Sequence, residues 1–195
     1  MDARTAVGDA AIVQAVFDET IALHRRMRDV MQESVIEAAA AVRASLEAGG
    51  KLLVFGNGGS AADAQHLAAE FVGRFERERE GLPAIALTAD ASVMTSLAND
   101  FTFERVFARQ LETLGRAGDV ALGISTSGRS RNVLAALQAA KAKGIKTIAL
   151  TGRDGGTIGE AAAIHVNVPH QSTARIQEVH RTIIHAICAL VERAT

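Results

Sequence analysis

The stretch KLLVFGNGGSAADAQHLAAEF, residues 51–71, decides how this chain folds. Its first five residues are an apolar, strand-like run, the glycines that follow make a turn, and a helical pattern begins at Ser60. Strand, glycine-rich turn and helix N-terminus together make an anion cradle: small residues let backbone N–H groups approach a ligand, and the helix end is electropositive. No phosphate-loop lysine follows the glycines. His66 and Glu70 stand there instead, one turn apart on one helix face, as a candidate metal-ligand or acid–base pair.

Upstream, from about residue 10 to 48, apolar positions such as Val13, Val16, Phe17, Ile21, Met27, Val30 and Met31 recur in threes and fours, the period of a helix. Gly49-Gly50 ends this region. Downstream, strand-like runs at 51–55, 84–87, 119–124, 146–150 and 164–168 alternate with helical stretches at 60–74, 92–97, 103–114 and 130–143, and a last helix is expected over 174–192. Several strands are nearly continuous apolar runs, as in a parallel sheet covered on both faces. The alternation predicts a doubly wound α/β fold, a five-stranded parallel sheet with right-handed crossovers and an N-terminal helical extension. Residues 1–50 are expected to supply packing and oligomer contacts rather than an independent domain. Residues 51–195 form the functional domain.

The bulk numbers exclude several roles. At 195 residues the chain makes one sizeable core, and its 48% apolar and 22% charged content is that of an ordinary globular protein. A net charge of −1 provides no general field for nucleic acid or an anionic membrane, so anion recognition must be local. The single cysteine, Cys188, lies in an apolar run and reads as a buried, inert thiol. Asp2, Arg4, Asp9 and Glu19 make the N-terminus unlike a signal peptide, and no apolar span of membrane length is present, so a cytoplasmic location is expected. The charge run ERERE, residues 76–80, reads as a solvated loop.

A second loop, Ser125-Thr126-Ser127-Gly128-Arg129-Ser130, follows the third expected strand. Open α/β sheets bind ligands at the carboxyl ends of their strands, and both loops belong at that edge. Four hydroxyls can donate several hydrogen bonds to phosphate oxygens without a fixed positive charge. Gly56, Gly58 and Ala61 also fit G-x-G-x-x-G/A, with Asp90 after the second strand, but a dinucleotide site leaves the hydroxyl loop and the polar last helix unexplained. That helix carries Gln177, Glu178, His180, Arg181 and His185 in an apolar pattern, with Gln177 and His185 eight apart. Were it to meet the His66 helix, two imidazoles, a carboxylate and an amide oxygen could surround a divalent metal, and His with carboxylate suits zinc. His24, His165 and His170 have no such partners and read as structural.

Taken together, GNGGSAADAQHLAAEF, SLANDF, GDVALGISTSGRSRNVL, LTGRDGG and ARIQEVHRTIIH resemble the sugar-isomerase (SIS) fold family and, within it, the phosphoheptose isomerases. The resemblance runs from about residue 50 to the C-terminus. The Ser/Thr loop marks the broader fold, and H-x-x-x-E combined with R-I-Q-E-x-H-x-x-x-x-H narrows it to the enzymes. The resemblance implies a flavodoxin-like SIS fold and a cytoplasmic homotetramer with active sites between subunits. It implies conversion of sedoheptulose 7-phosphate to D-glycero-D-manno-heptose 7-phosphate, toward the heptose of lipopolysaccharide core or other surface glycans. One zinc per subunit would fall on His66, Glu70, Gln177 and His185, and the acid–base pair on Glu70 and His185. Substrate contacts would fall on Asn57, Gly58, Gly59, Asn99, Asp100, Ser125, Thr126, Ser127 and Ser130, with Glu70 and Gln177 also touching substrate. The alternative within the fold is a non-enzymatic assembly factor that associates with the bacterial replication initiator DnaA.

Overall fold

The computed structural model describes residues 3–193, so the outermost residues of the two expected segments, 1–50 and 51–195, lie outside it. Five strands form one parallel sheet: β1 (Leu52–Gly56), β2 (Ala84–Ala86), β3 (Val120–Ser125), β4 (Lys146–Gly152) and β5 (Ile164–Val168), in the order β2-β1-β3-β4-β5. From β1 the chain winds first to β2 on one side and then to β3 on the other. The loops after β1 and β3 therefore flank the switch point, where such sheets bind ligands.

Alternation along the strands builds two cores. Leu52 and Val54 face a layer made by α2 (Gln32–Glu47), α3 (Gly59–Val72) and α8 (Thr173–Glu192). Leu53 and Phe55 face α5 (Val106–Leu114) and α6 (Arg131–Ala142). Every residue of β1 and β3 is buried, which accounts for their uninterrupted apolar character. The remaining helices are α1 (Ala3–Val30), α4 (Ala91–Asp100) and the short α7 (Gly156–Ala161).

Three features depart from the sequence reading. The N-terminal helical region breaks at Met31 into α1 and α2, with no glycine or proline to announce it. The expected 103–114 helix opens with a 3₁₀ turn, Phe103–Arg105, before α5. Helix α7, capped by Gly155 and opening at Gly156, both at positive φ, has no counterpart among the expected elements.

Helix α1 docks on α8 through Leu23 and Met27, both buried, and through polar bonds from Thr20 to Glu178 (2.7 Å) and between His24 and Thr182 (3.0 Å). The same stripe, continued toward the N-terminus, leaves Ile12, Val13, Val16, Phe17 and Ile21 exposed. Among the described residues no helix is long and apolar enough to cross a membrane.

Candidate active site

Helices α3 and α8 lie side by side, and their facing residues pair in register. At the first rung Gly58, at φ +55°, turns the chain into α3, a conformation that favours glycine. Gly59 then packs so closely on α8 that a Cβ there would stand 2.1 Å from Gln177 Nε2. At the second rung Asp63 meets Arg181 at 2.6 Å. At the third, His66 Nε2 and His185 Nε2 stand 2.8 Å apart, with Glu70 Oε1 3.3 Å from His66 Nε2. Spacings of three and four residues on both helices place these groups along one seam.

The His66, Glu70 and His185 donor atoms all lie within 4.8 Å of one another. Ligand atoms on a tetrahedral zinc with bonds of 2.0–2.1 Å stand about 3.3 Å apart, so this donor set and its spacing fit such an ion. Two imidazole Nε2 atoms at hydrogen-bond distance can share only one proton, so at least one ring turns a lone pair into the cluster. Burial lowers the His66 pKa, and the Arg181 charge lowers it further against the opposing pull of Glu70. Both effects favour the neutral ring a metal requires. Burial raises the Asp63 carboxyl above its usual range despite Arg181, and its Oδ2 is buried without a hydrogen bond.

The hydroxyl loop forms a second centre. Ser125 ends β3, and its Oγ lies 3.0 Å from the Oγ of Ser130, the N-cap of α6, and 3.4 Å from that of Ser127. Ser127 Oγ also accepts from the Arg129 N–H. Three hydroxyls thus converge at a helix N-terminus, an arrangement suited to a phosphate. Thr126 is half-buried beside them. Asn57 in the glycine loop exchanges two side-chain hydrogen bonds with the buried Asn132 of α6, at 2.9 and 2.8 Å, which ties the two loops together. Asn99 and Asp100 are exposed at the end of α4 and joined by a 2.9 Å bond.

At 1.5 Å per residue, His66 lies about 10 Å along α3 from Gly59, and Glu70 about 16 Å. The His–Glu–His cluster thus lies down the helix from the loop edge. Gln177 sits against Gly59, near that edge, two turns of α8 from His185.

The other histidines serve packing. His180 is fully buried, bonded through Nε2 to the Thr151 carbonyl, and burial pushes its pKa down to about 4. His165 bonds Thr151 Oγ1, His24 joins α1 to α8, and His170 accepts from the Ser172 N–H. Cys188 is buried, and its thiol is pushed up to about 12, which suppresses the nucleophilic thiolate.

Residues 76–80 require a correction. Most of them are exposed, but Arg79 is folded inward with only 10% of its side chain accessible, and it pairs with Glu192 at 3.2 Å. A partner 113 residues away is invisible in a local charge run. Asp63 and Asn132 were also missed. Asp63 lies three residues before His66, and Arg181 four before His185, so helical spacing alone aligns that pair with the cluster once α3 and α8 are known to meet.

Comparison with known proteins gives the family of this fold. The model of the SIS domain family matches residues 15–152. The phosphoheptose isomerase of Roseiflexus sp. (strain RS-1) is 52% identical over 181 residues, covering 91% of this chain and 92% of that protein. Among solved structures, the phosphoheptose isomerase GmhA from Neisseria gonorrhoeae superposes with a TM-score of 0.90 at 45% identity, over 94% of this chain and 98% of that one. A phosphoheptose isomerase from Francisella tularensis gives 0.92 at 37% identity, over 95% and 98%.

Proposed function

The chain belongs to the SIS-domain family, among its phosphoheptose isomerases, and on that premise we propose that it converts sedoheptulose 7-phosphate to D-glycero-D-manno-heptose 7-phosphate. The observation that carries this reading is the meeting of His66, Glu70 and His185 on two helices that flank one sheet face.

Ketose–aldose isomerisation takes a proton from the carbon beside the carbonyl, delivers one to the neighbouring carbon, and moves a third between oxygens. Glu70, half-buried at the cluster, is the base for the carbon proton. His185 moves protons on the oxygens or acts from the opposite side. Ser125, Thr126, Ser127 and Ser130 anchor the phosphate, so that binding energy remote from the reacting carbons aligns the sugar. Asn57, Gly58, Gly59, Asn99 and Asp100 hold its hydroxyls, and Gln177 reaches it from α8. Zinc held by His66, Glu70 and His185, with the Gln177 amide as fourth ligand once its side chain leaves Gly59 and turns along α8, one ion per subunit, would polarise the carbonyl. Glu70 serves as both ligand and base only if its bond to the ion loosens during turnover.

We take the site to lie between subunits of a homotetramer in the cytoplasm. The length of α3 between the glycine loop and the cluster supports completion by a second copy, as does the exposed apolar stripe of α1. Residues 1–50 then serve packing and assembly, and 51–195 carry the chemistry. The product feeds heptose for lipopolysaccharide core or other surface glycans. The assembly-factor alternative is not favoured: matched relatives across many species are named as isomerases.

Replacing Glu70 by Gln keeps the shape of the side chain and removes the base. Turnover is expected to fall at least about a hundredfold, while substrate still binds by calorimetry. Normal turnover by Glu70→Gln would sink the base assignment.

A further inference from the structure

Beyond the cluster, the chain leaving α3 folds back over the end of α8, where one buried carboxylate holds it. Glu192, 4% exposed at its side chain, accepts from the backbone N–H groups of Phe75 (3.2 Å), Glu76 (3.0 Å) and Arg77 (2.9 Å) and from Arg79 Nε (3.2 Å). Arg79 in turn donates to the carbonyls that end α3: Nη2 to Glu70 at 2.8 Å, and Nη1 to Phe71 at 2.9 Å. Nη1 also reaches the Glu80 carbonyl at 2.9 Å. Phe75, placed by the same carboxylate, rests its ring on His185, with centroids 5.6 Å apart and planes at 37°.

Two paths therefore run from Glu192 into the cluster. One passes through Arg79 to the backbone of Glu70, the other through the 75–77 backbone and Phe75 to the ring of His185. A helix end whose carbonyls are left to water frays, whereas carbonyls bonded to a planar, multidentate guanidinium are fixed. Residues that orient metal ligands and bases in this way matter nearly as much as the ligands themselves.

We propose that Glu192 and Arg79 are positioning residues for the isomerase: a buried clamp that fixes Glu70 and His185 relative to each other, with Phe75 as its contact on the imidazole. The proposal rests on the functional reading above, in which Glu70 and His185 are the acid–base pair.

The test compares wild type with Arg79→Met, Arg79→Lys, Glu192→Gln and Phe75→Leu, at a temperature where circular dichroism shows each variant folded. Phe75→Leu leaves the clamp's hydrogen bonds intact, so it separates positioning from loss of fold. Arg79→Met and Glu192→Gln are expected to lower kcat by about tenfold to a hundredfold with KM changed less than about threefold. Zinc affinity, measured by chelator competition, should fall by a similar factor. Arg79→Lys, which keeps the charge beside Glu192, should recover part of both losses, and Phe75→Leu should show a smaller loss of kcat. In metal-free protein, long-range ¹H–¹⁵N spectra should show the His185 ring signals shifted in all the variants and those of His24 unchanged. Wild-type kcat, zinc affinity and His185 signals in Arg79→Met and Glu192→Gln would overturn the clamp. A wild-type protein without isomerase activity, but with His185 signals that move as described, would keep the clamp and overturn the functional reading.

Discussion

His180 is the residue whose environment makes the clearest demand on pH. The folded protein buries its ring and holds its pKa at about 4, whereas an exposed histidine titrates near 6.5. Between those values the unfolded chain binds a proton that the native state refuses. The stability from this group is thus fully present above about pH 6.5 and is lost as pH falls toward 4, a total of about 3 kcal/mol. His66, also depressed, acts in the same direction. In metal-free protein the urea midpoint should fall steadily from pH 7 to 4, and His180→Gln should flatten that slope; an unchanged slope would assign the titration elsewhere. In the sequence His180 is one of several polar residues on the last helix, and nothing local separates it from His185. Five residues turn the helix far enough that one imidazole enters the core under β4 while the other meets α3.

At the scale of elements, the seam between α3 and α8 is where sequence and site join. The glycine turn, the His66 face and the Gln177–His185 face are each legible locally, because helical spacing places residues on faces. That the two helices meet, and in which register, is a property of the sheet they both cover. The strands were legible to within one or two residues because burial on both faces demands unbroken apolar runs. Helix α7 was not, being a single short segment that opens on a pair of glycines. The Glu192 cradle was not either, since its donors come from the far side of the chain. Gly59 offers a direct probe of the seam. An alanine there meets the flexible end of Gln177, which can swing aside, so stability should change little while Gln177 leaves its place. Gly59→Ala is expected to melt within a few degrees of wild type and to lose about tenfold or more in kcat/KM; full activity would separate Gln177 from the reaction.

For the whole molecule, the doubly wound sheet brings the glycine and hydroxyl loops to its switch point and stands α3 and α8 beside them. The apolar stripe on α1, with Ile12 and Phe17 each 64% exposed, is the surface that the proposed self-association would cover. The most direct test of the central claim is to incubate the purified zinc-loaded protein with sedoheptulose 7-phosphate and follow aldoheptose 7-phosphate by ¹H NMR. Product signals should grow with enzyme concentration, stop when a chelator strips the metal and return when zinc is restored. No product above a protein-free control, in either metal state, would contradict the assignment.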